Sequence, residues 1–230
     1  MKPIPAKIKD KFALKKWCIA HKVNVLHGFR VLVPRNGTIC QAQIKKMQLK
    51  AKIKSTGLFD EDTLAVLYPG RKQEMFRARF VAKVRSEVGV TEWPAGSNRG
   101  KVVDLFLKAI GLSGGNAWCA AFVWFCALAA GFLKSWLPPE AGYVPEIVTV
   151  ARSRKNDHVV AIDLKDAVSG DLLCMDWDHD GKADHVCVCI MRVLGFYRIH
   201  TIGGNEGTAG TVINGWKFRP QVEQAVRLVI

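Results

Sequence analysis

The sequence predicts an α+β fold in two parts, a small all-α module at residues 1–70 and a larger domain at residues 71–230 with an antiparallel sheet. Apolar residues recur at spacings of three and four up to residue 133, which is typical of helices, and alternate along the chain after Pro138-Pro139, which is typical of strands. Helices followed by strands favour an antiparallel sheet. A chain of 230 residues is long enough to bury a core in the larger part.

The first part is predicted to contain three helices with a basic surface. Helical spacing covers residues 10–23 and 40–54, and a shorter helix at 60–67 has acidic residues in its first turn. Tyr68-Pro69-Gly70 ends the module.

The second part is predicted to begin with a helix over residues 73–88, followed by a loop at 94–100 and a helix at 102–110. The apolar run at 117–133 is shorter than the roughly 20 residues of a membrane span, so a buried core helix is expected and stable membrane insertion is not. Strands are predicted at 171–176, 185–193, 197–202 and 227–230.

Positive charge is concentrated at the start of the chain. The net charge is +14, and residues 1–55 hold fourteen Lys and Arg against the single acid Asp10. Such a basic segment predicts binding to a polyanion: nucleic acid, teichoic acid, lipopolysaccharide or anionic lipid. Nucleic acid is disfavoured because no zinc finger, RNA-binding aromatic motif or clear helix-turn-helix is present. Residues 1–16 lack the apolar stretch of a signal peptide, which predicts synthesis in the cytoplasm.

One of the seven cysteines lies where a nucleophile is expected. Cys126, Cys187 and Cys189 fall at apolar positions and are interpreted as small buried hydrophobic residues. Cys119 comes within a turn of the start of a helix that follows Gly114-Gly115-Asn116. A helix N-terminus favours the thiolate, although a Cys in an apolar helix can equally be a core residue.

Two further polar segments can complete a catalytic site around this cysteine. His185 begins an apolar strand, where it can reach a helix terminus and act as the base for Cys119. Gly203-Gly204-Asn205-Glu206 follows the next strand, and a polar side chain there can orient the imidazole.

Residues 75–215 resemble the CHAP domains (cysteine, histidine-dependent amidohydrolases/peptidases) of phage endolysins and bacterial cell-wall hydrolases. The motifs are Glu87-Val-Gly-Val-Thr-Glu92 with Gly96-Ser-Asn-Arg-Gly100, Trp118-Cys-Ala-Ala-Phe-Val123, Gly170-Asp171, Ala183-Asp-His-Val186 and Gly204-Asn205. The resemblance implies a papain-like fold, with Cys119 as nucleophile, His185 as base and Asn205 as the orienting residue.

Two positions depart from the family pattern. Many members have Glu where this chain has Gly203, so Glu206 is a second candidate for the orienting role, and many have Gly where this chain has Cys187. The NlpC-type endopeptidases, also papain-like with Cys before His, are a close rival, but the Trp-Cys-Ala-Ala-Phe-Val and Gly-Gly-Asn motifs favour CHAP.

The function implied by the resemblance is hydrolysis of peptidoglycan amide bonds through a Cys–His acyl transfer, with the Cys119 amide as an oxyanion donor. An endolysin would reach the wall after holin-dependent release or within a virion. Asn98 either lines the cleft or simply forms a turn. Residues 57–68 resemble a peptidoglycan-binding module, which with its basic charge would hold anionic envelope polymers. The alternative is a non-catalytic binding protein whose basic module binds nucleic acid or an envelope polymer.

An acidic loop precedes His185. Asp176, Asp178, Asp180 and Asp184 occupy positions 1, 3, 5 and 9 of a calcium-binding loop, with Gly181 at position 6. Position 12 is Cys187 instead of Glu, so the loop is either a calcium site or a plain acidic hairpin turn. No cofactor is required by the Cys–His chemistry, and zinc is disfavoured because His179 and His185 lack a suitably spaced third ligand.

Overall fold

The computed structural model describes residues 45, 46, 48, 49, 51–57, 63, 69–192 and 198–230. The chain divides into two compact units, Met1–Lys72 and Gln73–Ile230. Most of the predicted helical module, including the helix at 10–23 and the greater part of the motif at 57–68, lies outside the described residues. Its all-α architecture and its binding role therefore stay predictions.

The described part of the first unit is organised around the buried side chain of Gln48. Its Oε1 accepts a hydrogen bond from the Gly57 amide at 2.8 Å, and its Nε2 donates to Thr56 Oγ1 at 2.9 Å and Thr63 Oγ1 at 2.7 Å. A buried amide needs such partners, so Gln48 fixes the turn at 51–57.

Residues 45, 46, 48, 49 and 63 are helical, and four α-helices are described over their whole length: α1 Pro69–Ser86, α2 Val103–Ala109, α3 Cys119–Ala129 and α4 Val144–Ser153. The first three correspond to the predicted helices. Helix α3 ends earlier than the apolar run at 117–133 because the chain turns at Gly131, where φ is +107°. Helix α4 was not predicted, although Pro145 at its start and Glu146 in its first turn are helix-start signals.

A six-stranded antiparallel sheet confirms the predicted α+β class. Its strands are β1 Val159–Ile162, β2 Leu172–Met175, β3 His185–Arg192, β4 Arg198–Glu206, β5 Thr211–Phe218 and β6 Val222–Leu228, in the order β1-β6-β2-β3-β4-β5. Strands β1 and β5 were not predicted, and β6 begins well before the predicted 227–230. Strand β5 contains Asn214-Gly215, a pair typical of turns, but it forms the edge of the sheet, where such residues are tolerated.

Helix α3 is the centre of the larger unit. Eight of its eleven residues are buried and none is charged, as expected of a helix that is surrounded on all sides. It contacts α2 together with β3 and β4, and Phe106 of α2 packs on Trp118 and Phe122 with ring centroids 5.8 and 5.6 Å apart. This packing fixes the position of the first residue of α3 relative to the sheet. No described helix is long and apolar enough to cross a membrane.

A buried ion-pair cluster joins α1, β2 and β6. Asp171 is fully buried and accepts hydrogen bonds from Arg77 at 3.3 Å, from Arg227 at 3.0 and 2.8 Å, and from the Val168 amide at 2.8 Å. A buried carboxylate is tolerated when its oxygens are satisfied in this way. The Gly170-Asp171 motif therefore has a structural role in this fold: it lies directly before β2, and its Asp171 holds the cluster together.

Candidate active site

The thiol of Cys119 lies at the first residue of α3, directly after the N-cap residue Trp118. Cys119 is 6% exposed, and the side chain that lowers the pKa of its thiol is that of His185. The backbones of Val186 and Ala120 also lower the pKa of this thiol. The helix start thus places the thiol against the beginning of β3, as the sequence predicts.

His185 is the first residue of β3 and is 2% exposed. Its Nε2 lies 3.2 Å from Glu206 Oε1, which leaves Nδ1 as the ring nitrogen for Cys119. The ring of Trp177 stacks on the imidazole with centroids 4.5 Å apart and planes 18° from parallel. The imidazole is therefore held by a carboxylate at one nitrogen and by an aromatic face.

The charges of the site favour a thiolate and an imidazolium. Burial is the largest influence on Cys119 and alone raises its pKa, but His185 and the backbone hydrogen bonds outweigh burial and lower the pKa below its ordinary value. Burial likewise acts to lower the pKa of His185, yet Cys119 and Glu206 raise it above its ordinary value. These opposite shifts stabilise the charged forms of both groups, which is the state that a thiol nucleophile requires.

Glu206 connects His185 to a lysine on the neighbouring strand. Its Oε2 accepts a hydrogen bond from Lys217 Nζ at 2.7 Å, on β5. Burial is the largest influence on Glu206 and acts to raise its pKa, but His185 and Lys217 overcome it, so the pKa is lowered. Glu206 is therefore an anion between two cationic groups.

A glycine makes room for this carboxylate. The register of β4 against β5 shifts between Gly203 and Glu206, and Asn205 has φ +60°. This bulge brings the Glu206 side chain back over Gly203, where an added Cβ would lie 2.1 Å from Glu206 Oε1 and 3.0 Å from His185 Nε2. The carboxylate thus occupies the space that a side chain at position 203 would take, the position where many CHAP domains have Glu.

Asn205, the residue that the resemblance suggests for orienting the imidazole, has a different partner. Its Nδ2 donates to Asn98 Oδ1 at 3.2 Å, and within the described residues the contact to His185 comes from Glu206. The backbone of Asn98 has φ +53° and its amide donates to Glu92 Oε2 at 2.9 Å. Asn98 thus forms a turn and also bonds a residue beside the site.

Glu92 is a buried residue beside the site, and the sequence did not predict a role for it. It is 3% exposed, and its Oε1 accepts a hydrogen bond from the Trp118 indole at 2.8 Å. Together with its bond to the Asn98 amide, it ties the loop at 94–100 to the start of α3. Its only sequence signal is its place in the Glu87–Glu92 motif, whereas Lys217 and Trp177 carried none.

The acidic loop between β2 and β3 brings three of its four predicted ligands together. Carboxylate oxygens of Asp176, Asp178 and Asp184 lie within 4.8 Å of one another. Asp180 is not part of this group, and its Oδ1 accepts a hydrogen bond from the Lys182 amide at 2.8 Å.

The buried cysteines outside the site behave as expected from their apolar positions. Cys126, Cys187 and Cys189 are buried, as is Cys174. Burial is the main cause that raises the pKa of Cys187 to about 12, and burial also raises the pKa of Cys126. The pKa of Cys119 is lowered instead, so its shift is opposite to those of these two buried cysteines.

Comparisons with known proteins give similarities of low identity. No protein-family model matches the sequence, and no curated protein matches it either. Among solved structures, the chain is similar to the P60 domain of an antigen from M. avium paratuberculosis, at 14% identity and a TM-score of 0.41, covering 70% of this chain and 98% of that one. It is also similar to RipD from Mycobacterium tuberculosis, described as a non-catalytic NlpC/p60 domain protein adapted to peptidoglycan binding, at 15% identity and a TM-score of 0.36, covering 67% and 98%. Neither similarity identifies a reaction for this chain, and the CHAP resemblance of its sequence stays a prediction.

Proposed function

We propose that the unit Gln73–Ile230 is a cysteine hydrolase that cleaves amide bonds of bacterial peptidoglycan. One observation carries the proposal: Cys119 at a helix start interacts with His185 at the start of β3, which lowers the pKa of the thiol, and His185 Nε2 faces the Glu206 carboxylate. A nucleophile, a base and a group that orients the base are the parts that acyl transfer through a thiol requires.

In the first half of the reaction, the Cys119 thiolate attacks the carbonyl carbon of the amide and a C–S bond forms. The negative charge moves to the carbonyl oxygen, and the Cys119 amide in the first turn of α3 is available to it, because the first amides of a helix have no intrahelical acceptor. The His185 imidazolium then donates its proton to the leaving nitrogen as the C–N bond breaks. The products are a free amine and a thioester on Cys119.

In the second half, neutral His185 removes a proton from water, and the resulting hydroxide attacks the thioester. The C–S bond breaks, the acid leaves, and the thiolate and imidazolium are restored. Glu206 acts as a positioning residue: it holds the ring through Nε2 and stabilises the positive charge of the imidazolium.

The choice of peptidoglycan as the substrate rests on the CHAP motifs and on the charge of the chain. The fourteen basic residues within 1–55 suit the anionic polymers of a bacterial envelope, which would keep the hydrolase on its insoluble substrate. The proposed setting is that of an endolysin, which reaches the wall after holin-dependent release or within a virion.

The test is hydrolysis of isolated sacculi by the full chain, compared with Cys119→Ala and Cys126→Ala under reducing conditions. Cys126 is a matched control because it lies in the same helix and is also buried. We expect loss of turbidity and release of fragments with the native protein and Cys126→Ala, and neither with Cys119→Ala. Mass spectrometry of the fragments then identifies the bond that is cut.

Hydrolysis that survives in Cys119→Ala would refute the thiol mechanism. If no variant releases fragments but the native protein still sediments with sacculi, the non-catalytic binding protein becomes the better account. Circular dichroism of each variant separates loss of chemistry from loss of fold.

A further inference from the structure

Asp176, Asp178 and Asp184 form an acidic group in the loop between β2 and β3. Their carboxylate oxygens lie within 4.8 Å of one another, and in the described part of the chain no Lys or Arg forms an ion pair with any of them. Uncompensated carboxylates at this separation repel each other. A divalent cation between them would remove that repulsion.

Asp176 supplies an independent indication of a ligand. It is 7% exposed, and its Oδ2 accepts a hydrogen bond from the Gly181 amide at 3.0 Å. Its Oδ1 is fully buried and has no hydrogen-bond partner. A buried carboxylate oxygen without a partner is costly, and it belongs to a residue of the acidic group, where a bound cation would offset that cost.

The backbone of the loop is already shaped for a cation. Gly181 has φ +86°, which allows the sharp turn that a calcium loop makes at its sixth position. The Asp184 amide donates to the Met175 carbonyl at 2.7 Å, which joins the two ends of the loop, and within the loop the Asp180 amide donates to Asp178 Oδ1 at 3.3 Å. Hard oxygen ligands in a flexible arrangement suit calcium better than magnesium, which demands near-octahedral geometry.

The loop also contacts the base of the proposed reaction. Asp184 directly precedes His185, and its Oδ2 accepts a hydrogen bond from the Trp177 amide at 2.9 Å. The Trp177 ring stacks on the His185 imidazole. A cation bound to Asp184 would therefore stiffen the two residues that flank His185.

We propose that Asp176, Asp178 and Asp184 bind a calcium ion, which holds this loop against His185. Cys187 stands where a calcium loop usually has its bidentate Glu and is buried in β3, so a loop carbonyl and water complete the coordination. With so few protein ligands, the dissociation constant should be roughly 0.1–1 mM, as in extracellular calcium modules. The binding stands by itself, whereas its effect on activity rests on the proposed function.

Binding is tested on the full chain with terbium, whose emission is sensitised by a nearby indole such as that of Trp177. We expect saturable emission that calcium displaces, with calcium affinity weakened at least about 10-fold in Asp178→Asn, because loss of a ligand should cost no less than loss of a group that only orients a ligand. Asp178 is exposed, so this change should leave the fold intact. The matched control is Asp163→Asn, another exposed aspartate, which lies outside the loop and should bind calcium as the native protein does.

Failure of millimolar calcium to displace terbium, or equal affinity in Asp178→Asn and the native protein, would overturn the proposal. A parallel hydrolysis assay should show that chelation slows the native protein and that Asp178→Asn needs more calcium for the same rate. Because terbium emission does not depend on catalysis, absence of hydrolysis would reject the proposed function and leave the calcium site standing.

Discussion

The space above Gly203 provides a direct test of the role of Glu206. In Gly203→Ala, the new Cβ would lie 2.1 Å from Glu206 Oε1, whereas real Cβ contacts essentially never fall below 3.0 Å. The carboxylate must therefore move by about 1 Å, which stretches its 3.2 Å contact with His185 Nε2 beyond hydrogen-bonding distance. A displacement of this size in a group that positions the catalytic base costs about 10²-fold in rate.

The assay is kcat/KM for fragment release from sacculi by Gly203→Ala, Glu206→Gln and the double variant. Both single changes should lower kcat/KM by about 10²-fold, and the double variant should lose little more, because both remove the same contact. The matched control is Gly215→Ala on β5, where an added Cβ meets only Ile213 at 3.6 Å. It should keep the native rate.

Full activity of Gly203→Ala would refute the reasoning, and so would additive losses in the double variant. The rate of Cys119 alkylation reports the fraction of thiolate, which a purely structural defect would not lower specifically. It should fall at neutral pH in both single variants, because a loosened imidazolium no longer stabilises the thiolate.

The contacts of the site and the core support three further tests, one on the native protein and two on variants. Since the pKa of Cys119 is lowered, the thiolate persists below the usual thiol range, and iodoacetamide labelling followed by peptide mass spectrometry should detect this; the pH profile of an ordinary thiol would contradict it. Asp171→Ala should lower the free energy of unfolding in urea by about 2–4 kcal/mol, somewhat below the cost for a fully buried pair because Arg77 and Arg227 are partly exposed; a loss within that of an ordinary surface change would argue against the cluster. Glu92→Gln replaces one of two accepting oxygens with a donor. It should lower the free energy of unfolding by about 1–3 kcal/mol and change the near-ultraviolet circular dichroism of Trp118. An unchanged spectrum and stability would refute the positioning role of Glu92.

The elements that carry Cys119 and His185 could be predicted because their patterns are strong. The run that became α3 has no charged residue, and β3 alternates between the two faces of the sheet, with Val186 and Val188 in the cluster that packs on the helices and Cys187 and Cys189 in the other. Both patterns depend on local sequence alone, so the contacts made on folding do not change which element forms.

The contact with His185 could not be assigned from the sequence because it depends on a backbone irregularity. Asn205 and Glu206 are neighbours, and in a regular strand they would face opposite sides of the sheet. The shift of register after Gly203 and the positive φ of Asn205 decide which of them reaches the imidazole. Lys217 was missed because Asn214-Gly215 is typical of a turn. Strand β5, which brings Lys217 to Glu206, was therefore not predicted.

The bond between Lys217 and Glu206 keeps the buried site electrically neutral at both stages of the proposed cycle. Before attack, the thiolate and Glu206 balance the imidazolium and Lys217. In the thioester, the sulfur and the imidazole have both lost their charge, and Glu206 would be a solitary anion at 6% exposure without the ammonium 2.7 Å away. Because an uncompensated charge is expensive to bury, the lysine should matter most for the lifetime of the acyl-enzyme, a stage at which the nucleophile itself is no longer charged.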